Sequence, residues 1–270
     1  MTNGTGFLGI HGINQREVTP QELTDEWTSA LRSSLDGLGV STEDVEVPVV
    51  FYADVFHPAA VAQGEEPLDD ASALLLADWA LDSIGVQAQG PAEQWVGQVA
   101  RLIAGRLDDV PPWLVARLMR MGAREASDYL NDARMRRDIQ GRLATGIATH
   151  QPRALIAHSL GSVVAWETMQ AIPDLRVELL LTIGSPLALP NAMLSRLDPQ
   201  PVHGRTKPPG VGRWVNVVHP GDLVAAAGRL RSAFPEVDEE FEIDVDLAVC
   251  HRAESYLTAP VAAGILSPYR

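Results

Sequence analysis

Three side chains in this sequence, Ser159, Asp222 and His251, have the types and the chain order of a nucleophilic catalytic site. A serine hydroxyl is a poor nucleophile until a histidine accepts its proton. The histidine in turn needs a carboxylate that fixes its tautomer and stabilises the imidazolium. The sequence therefore predicts attack of Ser159 on a carbonyl carbon, provided that the fold brings the three residues together.

Ser159 lies in the segment Ala157-His158-Ser159-Leu160-Gly161, between an apolar run and a second apolar run that suits a helix. This is the strand, sharp turn and helix that surround the serine of a G-x-S-x-G motif. The turn admits only small residues two positions before and after the serine, and Ala157 meets that demand. We expect Ser159 to be strained and the Leu160 N–H to donate to a substrate oxyanion. The pentapeptide alone also occurs by chance in unrelated chains.

Asp222 is the preferred acid because it follows the predicted strand Arg213–Val218, and active sites form beyond the carboxyl ends of parallel strands. Two of its competitors follow helical stretches and two are predicted inside a strand. The other aspartates after the serine are Asp174, Asp198, Asp238, Asp244 and Asp246.

His251 is the preferred base because it follows the predicted strand Phe241–Val249. His158 is fixed beside the nucleophile and is expected to point elsewhere, and His219 is only three residues before the acid in the same loop. A nucleophile pair of Cys250 and His251 is excluded, since adjacent residues of an extended chain point to opposite sides.

A second oxyanion donor is predicted in the loop after the first strand, Gly6–Ile10. Gly12 allows the backbone to approach a ligand closely, and the early strand-to-helix loop supplies such a donor in sheets that carry a nucleophilic serine. We expect His11 and Gly12 to form a substrate-binding loop and the Ile13 N–H to donate, with Gly12 or Asn14 as alternative donors. An ordinary glycine turn is the other interpretation.

The remaining elements favour alternating strands and helices. Thr19-Pro20-Gln21-Glu22 predicts a helix start, and Leu23, Trp27, Leu31 and Leu35 recur on one helix face. A buried strand is predicted at Val45–Phe56, which gives a β-α-β order and a parallel sheet. The other predicted elements are one helix at Arg124–His150, a strand at Val177–Ile183 and a final helix at Ser255–Leu266.

Residues 57–122 predict a helical cap over the carboxyl edge of the sheet, inserted into one domain that covers residues 1–270. Apolar helical stretches at Ala71–Ile84 and Trp95–Leu107 are separated by prolines and acidic pairs. The stretch is too long for a simple crossover and too apolar for disorder. Helical packing away from the site is the alternative.

Composition excludes several classes of function. The chain has 270 residues and a formal net charge of −14, whereas a face that binds nucleic acid is basic. Gly4, Gly6 and Gly9 spell a dinucleotide fingerprint but lack the preceding strand, and no motif suggests a metal, so no cofactor is expected. One cysteine, no signal peptide and no apolar run of membrane-spanning length predict a cytoplasmic protein.

Four short motifs surround the candidate residues: Ala157-His158-Ser159-Leu160-Gly161, Gly184-Ser185-Pro186, Asn216-x-x-x-Pro220-x-Asp222-x-Val224 and His251-x-x-x-x-Tyr256-Leu257. Together they resemble the motifs of α/β-hydrolases, in particular the lipase-like serine esterases. The resemblance covers about residues 6–56 and 125–266, and the cap matches no family. It implies a mostly parallel sheet of the eight-stranded type, of which about six strands are predicted here.

The expected function is hydrolysis of a carboxylic ester through an acyl-enzyme, with a small-molecule or lipid-like acyl ester as the substrate. Two alternatives stay open. The same three residues could run acyl transfer or thioester hydrolysis, or the protein could be a non-catalytic binding protein with a hydrolase-like fold.

Overall fold

A computed structural model describes residues 6–56, 67–107, 110–202, 206–225 and 230–270, without the side chain of Glu93. These residues form one sheet of six strands with helices on both faces. The strands are β1 (Phe7–Ile10), β2 (Val49–Val50), β3 (Ala154–His158), β4 (Val177–Ile183), β5 (Val211–Val218) and β6 (Glu239–Glu242). The helices are α1 (Pro20–Gly37), α2 (Asp70–Ile84), α3 (Ala92–Ala104), α4 (Pro112–Asn131), α5 (Ala133–His150), α6 (Leu160–Ala171), α7 (Leu230–Ala233), α8 (Ala253–Thr258) and α9 (Pro260–Leu266).

All six strands are parallel and follow the order β2-β1-β3-β4-β5-β6. The chain moves from β1 to β2 in one direction and then returns to place β3 on the other side of β1. Ligands bind at such a reversal, outside the carboxyl ends of the strands. The prediction of a mostly parallel sheet flanked by helices is confirmed, and the segments after β1 and β3 lie side by side at the reversal.

The helix α1 forms as its pattern predicts. The Thr19 side chain accepts from the Glu22 N–H and the Glu22 carboxylate accepts from the Thr19 N–H, which completes a capping box. The apolar stripe of Leu23, Trp27 and Leu31 is buried against one face of the sheet, together with α8 and α9. Helices α5 and α6 cover the opposite face, so the sheet is the middle of three layers.

The predicted long helix Arg124–His150 is wrong, because the chain is interrupted at Asp132. The Asp132 side chain accepts from the N–H groups of Arg134 and Met135 and thereby starts a new helix, α5. The final helix is likewise two, since Pro260 starts α9 directly after α8.

Two predicted strands are much shorter than expected. In Val45–Phe56 only β2 joins the sheet, because the Thr28 and Thr24 hydroxyls of α1 accept from the N–H groups of Val47 and Val49. Threonine hydroxyls of the helix thus accept the backbone N–H groups that the carbonyls of a neighbouring strand would otherwise accept. The second case is Phe241–Val249, where β6 covers Glu239–Glu242 and the chain then turns, so Asp244 and Asp246 lie outside a strand.

Within the predicted cap, α2, α3 and the first half of α4 pack around a small apolar core of their own, which includes Leu76, Trp95 and Val99. Residues 57–66 and 108–109 of that segment lie outside the described residues. Helix α4 continues past residue 122, so the expected cap boundary falls inside a helix. None of the helices in the described ranges has the length and apolar character needed to cross a membrane.

Candidate active site

Ser159 occupies a strained turn between β3 and α6. Its φ and ψ angles are 52° and −127°, values that side-chain-bearing residues rarely adopt. Its N–H donates to the Ile183 carbonyl over 3.1 Å, which fixes the turn to the neighbouring strand β4. The turn drives α6 so close to β1 that a Cβ on Gly161 would overlap the carbonyl oxygens of Ile10 and His11. The small residue expected at this position is therefore a steric requirement.

Replacing Gly161 by alanine is expected to destabilise the protein, because the new methyl group meets backbone atoms that have no room to move. The expected loss of unfolding free energy is about 1–3 kcal/mol, measured by chemical denaturation. Gly141→Ala is the matched control, since Gly141 lies in α5 with nothing within 4 Å of its added Cβ. There, alanine is expected to stabilise by up to about 1 kcal/mol. Equal effects of the two substitutions would contradict the steric argument.

The side chains of Ser159, His251 and Asp222 form one hydrogen-bonded chain. His251 Nε2 lies 3.0 Å from Ser159 Oγ, and His251 Nδ1 lies 2.7 Å from Asp222 Oδ2. Asp222 accepts from Nδ1, so a neutral His251 carries its proton there and presents Nε2 as an acceptor to the serine hydroxyl. Ser159 and Asp222 are 1% and 2% exposed. The arrangement can take the proton from Ser159 and direct the resulting nucleophile outward from the sheet edge.

Besides His251, three other groups donate hydrogen bonds to the Asp222 carboxylate. The Tyr256 hydroxyl donates to Oδ2 over 2.7 Å, and the N–H groups of Val224 and Ala225 donate to Oδ1. Burial on its own raises the pKa of the Asp222 carboxyl, but His251, Tyr256 and Val224 together lower that pKa below its ordinary value. The carboxylate therefore stays ionised. The sequence places Tyr256 in the motif His251-x-x-x-x-Tyr256-Leu257 but does not show that its hydroxyl bonds to the carboxylate.

The sequence predicts that His251 directly follows a strand. In the structure it lies in a turn well beyond β6. The fold nevertheless brings it within 2.7 Å of Asp222 Oδ2. His158 does not point away from the site, because its Nε2 lies 2.8 Å from the His251 carbonyl oxygen. His219, the other competitor, accepts the Gly221 N–H at its Nδ1 over 2.9 Å.

The loop after β1 contacts the serine directly. A Cβ on Gly12 would lie 2.6 Å from Ser159 Cβ and 3.2 Å from Ser159 Oγ, so only glycine leaves room for the hydroxyl. The Asn14 N–H donates to Glu125 over 2.7 Å and is therefore committed elsewhere. Ile13 and Gly12 remain as donors from this loop, and Leu160 is the first residue of α6, where N–H groups lack helical partners.

His11 shapes this loop from inside the protein. Its Nε2 accepts the Tyr52 N–H over 3.0 Å, and its Nδ1 lies 2.6 Å from the Gly12 carbonyl oxygen. The Tyr52 hydroxyl donates to the His11 carbonyl over 2.8 Å. Burial lowers the pKa of His11 to about 4, so the ring is neutral and donates through Nδ1. Its ring therefore supports the loop and is fully engaged with protein groups.

Two buried histidines predict an acid-sensitive fold. Burial lowers the pKa of His11 to about 4 and, with His251 nearby, that of His158 to about 3, from an ordinary 6.5. Below pH 6.5 the unfolded chain binds protons on these rings and the folded protein does not. Each ring is therefore expected to remove about 1.4 kcal/mol of unfolding free energy for every pH unit below 6.5. Urea denaturation between pH 6.5 and about 5 measures the slope.

His158→Gln serves as the control for that experiment, since glutamine does not titrate. Its pH slope is expected to be smaller than that of the wild type by about 1.4 kcal/mol per pH unit. Identical slopes in the two proteins would show that His158 is protonated in the fold and contradict the burial argument.

Among the described residues, no group of three or more histidine, cysteine, aspartate or glutamate side chains is arranged to hold a metal ion. The scan of the sequence against protein-family models found no match, and the comparisons with curated proteins and with solved structures found none either. The geometry of Ser159 and its partners is thus the basis for assigning a function.

Proposed function

We propose that the protein is a serine hydrolase of the α/β-hydrolase type, which cleaves a carboxylic ester through an acyl-enzyme. The observation that carries the proposal is the hydrogen-bonded chain from Ser159 Oγ through the His251 ring to Asp222 Oδ2. It starts from a strained serine at the carboxyl end of a central parallel strand. Three residues that are far apart in the chain thus contact one another in the nucleophile, base and acid order that acyl transfer requires.

In the first half of the reaction, Ser159 Oγ forms a bond to the ester carbonyl carbon while His251 Nε2 takes the hydroxyl proton. The negative charge that develops on the carbonyl oxygen is stabilised by the Leu160 N–H and by the Ile13 N–H or its neighbour Gly12. Such a donor lowers the barrier by about 3–4 kcal/mol in hydrolases. Collapse of the tetrahedral adduct breaks the ester C–O bond, and His251 gives its proton to the departing alkoxide.

In the second half, a water molecule takes the place of the alcohol. His251 Nε2 accepts a proton from that water, whose oxygen forms a bond to the acyl carbon. The bond between the acyl carbon and Ser159 Oγ then breaks, His251 gives the proton to Ser159 Oγ, and the carboxylic acid leaves. Asp222 keeps its negative charge throughout and stabilises the imidazolium that forms in each half. Its lowered pKa suits this role, because a neutral carboxyl would leave the charged ring without a partner.

A fluorophosphonate probe tests the proposal directly, since it phosphonylates only a serine that a base activates. We expect Ser159 to be the labelled residue, identified by peptide mass spectrometry, and expect wild-type protein to release p-nitrophenol from esters of increasing acyl length. Absence of both labelling and turnover would overturn the proposal and favour a binding protein. Faster turnover of thioesters, or transfer to an added amine or alcohol, would instead assign the same site to thioester hydrolysis or acyl transfer.

Glu125 of α4 is expected to support catalysis through the loop that it holds. Its buried carboxylate accepts the Asn14 N–H, and a Cβ on Gly122 of the same helix would lie 2.5 Å from the Ile13 side chain. Glu125→Ala removes the acceptor and frees the loop, so kcat is expected to fall about tenfold, the equivalent of one lost hydrogen bond. Glu125→Gln retains an acceptor oxygen, so its kcat is expected to fall less than that of Glu125→Ala. The two variants having equal kcat would contradict this role.

A further inference from the structure

The base of the proposed mechanism lies in a turn outside the sheet, where the strand ladder does not hold the backbone. His251 follows the turn Leu247–Cys250, well past the last residue that β6 pairs with β5. The backbone hydrogen bonds around it are local ones: Val249 N–H to Asp246 over 3.1 Å, Cys250 N–H to Leu247 over 3.5 Å and Arg252 N–H to Val249 over 2.9 Å. A catalytic ring needs a firmly held backbone, so the support must come from elsewhere in the fold.

His158 supplies a hydrogen bond to that segment from the centre of the sheet. Its Nε2 lies 2.8 Å from the His251 carbonyl oxygen, and a carbonyl only accepts, so Nε2 carries the proton. His158 is the last residue of β3, it pairs with Ile183 of β4 and its ring meets the edge of Trp27. The donor is therefore attached to a rigid element, unlike the turn that it contacts.

The same ring also contacts the loop on the other side of the nucleophile. A Cβ on Gly12 would lie 3.2 Å from His158 Nδ1, and the His158 and His251 ring centroids are 5.0 Å apart. Burial, with the nearby His251, lowers the pKa of His158 to about 3. The ring is thus neutral at the pH where His251 must accept a proton, and it adds no charge that would oppose the imidazolium.

We propose that His158 is a positioning residue, whose Nε2–H holds the His251 backbone so that His251 Nε2 stays within reach of Ser159. This inference rests on the proposed function. Ser159 and the donor that fixes its base are adjacent in the chain, so one peptide unit sets the distance between nucleophile and base. Misplacement of a catalytic group by about 1 Å costs on the order of 10²-fold in rate.

Two amide substitutions of His158, to glutamine and to asparagine, test whether a donor at the position of Nε2 is needed or whether any polar side chain suffices. The glutamine Nε2 reaches as far along its side chain as the histidine Nε2 does, whereas the asparagine Nδ2 ends at the position of Nδ1. We expect His158→Gln to keep kcat within about fivefold of the wild type, and His158→Asn and His158→Leu to lose about 30- to 100-fold, the effect of misplacement by about 1 Å. KM is expected to change less than threefold in all of them.

The assays use p-nitrophenyl esters at several pH values, with kcat expressed per site labelled by the fluorophosphonate, so that any unfolded fraction drops out. Equal kcat for His158→Gln and His158→Asn overturns the inference. A rise in KM at unchanged kcat overturns it as well. Retention of kcat in His158→Leu also overturns it. Failure of the proposed function is distinct, because the wild type would then show neither labelling nor turnover.

Discussion

Ser159→Ala is expected to lose ester hydrolysis by on the order of 10⁶-fold in kcat, the loss seen when an activated serine is removed from such a site. Alanine keeps the Cβ but has no oxygen to bond to the acyl carbon, so His251 and Asp222 have nothing to activate. KM is expected to stay near the wild-type value, because the oxyanion donors of the proposed site are unchanged. Initial rates on p-nitrophenyl esters give kcat, and the fluorophosphonate no longer labels the protein.

The backbone at this residue adds a stability prediction that the loss of activity does not supply. The φ angle of 52° strains alanine as much as serine, whereas glycine adopts it without cost. The unfolding free energy of Ser159→Gly, measured by chemical denaturation, is therefore expected to exceed that of Ser159→Ala by about 1–3 kcal/mol. Activity that survives in Ser159→Ala would eliminate Ser159 as the nucleophile. Equal stability of the two variants would remove the argument from strain.

Asp222→Asn is expected to reduce kcat by about 10⁴-fold, the second largest effect, although the substitution changes the shape of the side chain very little. The asparagine amide donates to His251 Nδ1, so the ring carries its proton on Nε2 and presents a donor to Ser159 Oγ. The serine proton then has no acceptor. The measurement is kcat across pH 6 to about 9, with circular dichroism to establish that the variant is folded.

Tyr256→Phe provides the graded comparison for that variant. It removes one donor from Asp222 Oδ2 and leaves His251 and the N–H groups of Val224 and Ala225 in place. The carboxylate stays charged and acceptor-only, so the loss in kcat is expected to be about tenfold, the equivalent of one hydrogen bond to a charged group. An Asp222→Asn variant within tenfold of the wild type would show that another residue orients His251.

The elements that the sequence predicts well are those whose signals are local. The capping box at Thr19 and the four-residue spacing of Leu23, Trp27 and Leu31 both act within α1, and the structure has that helix as expected. The length of the strand predicted at Val45–Phe56 is overestimated, because an apolar residue can be buried without its backbone pairing with a neighbouring strand. Val47 is fully buried, yet its N–H bonds to a threonine of α1 instead of to another strand.

The candidate site shows the same division. Ser159, Asp222 and His251 are recognised by type and order, and they lie within hydrogen-bonding distance of one another. The sequence places His251 at the end of a strand, whereas β6 ends at Glu242, so the order of residues along the chain is more informative than the predicted boundaries. The strand β6 ends at Glu242, and the Asp246 side chain accepts from the Ala248 N–H in the turn that follows, although the apolar alternation continues to Val249.

The supporting residues were beyond sequence reasoning because their partners are distant in the chain. Glu125 lies in a run of mixed charges that is most simply a solvated helix face, yet it is only 4% exposed and accepts the Asn14 N–H. The position of His158 beside Ser159 excludes it as a base and gives no sign of another role. Only the packing of three segments around β3 shows what its ring bonds to.

Helix α4 has a consequence for any attempt to exchange the cap. Its 20 residues form one uninterrupted helix about 30 Å long, with Trp113 exposed near one end and Glu125 bonded to the loop of the site nearer the other. Helices α2 and α3 pack on the first half of this helix, and the loop after β1 contacts its second half, so the two are not independent modules. An exchange that stops at residue 122 would divide α4 beside Ile13, whereas one that extends through Asn131 keeps the helix whole.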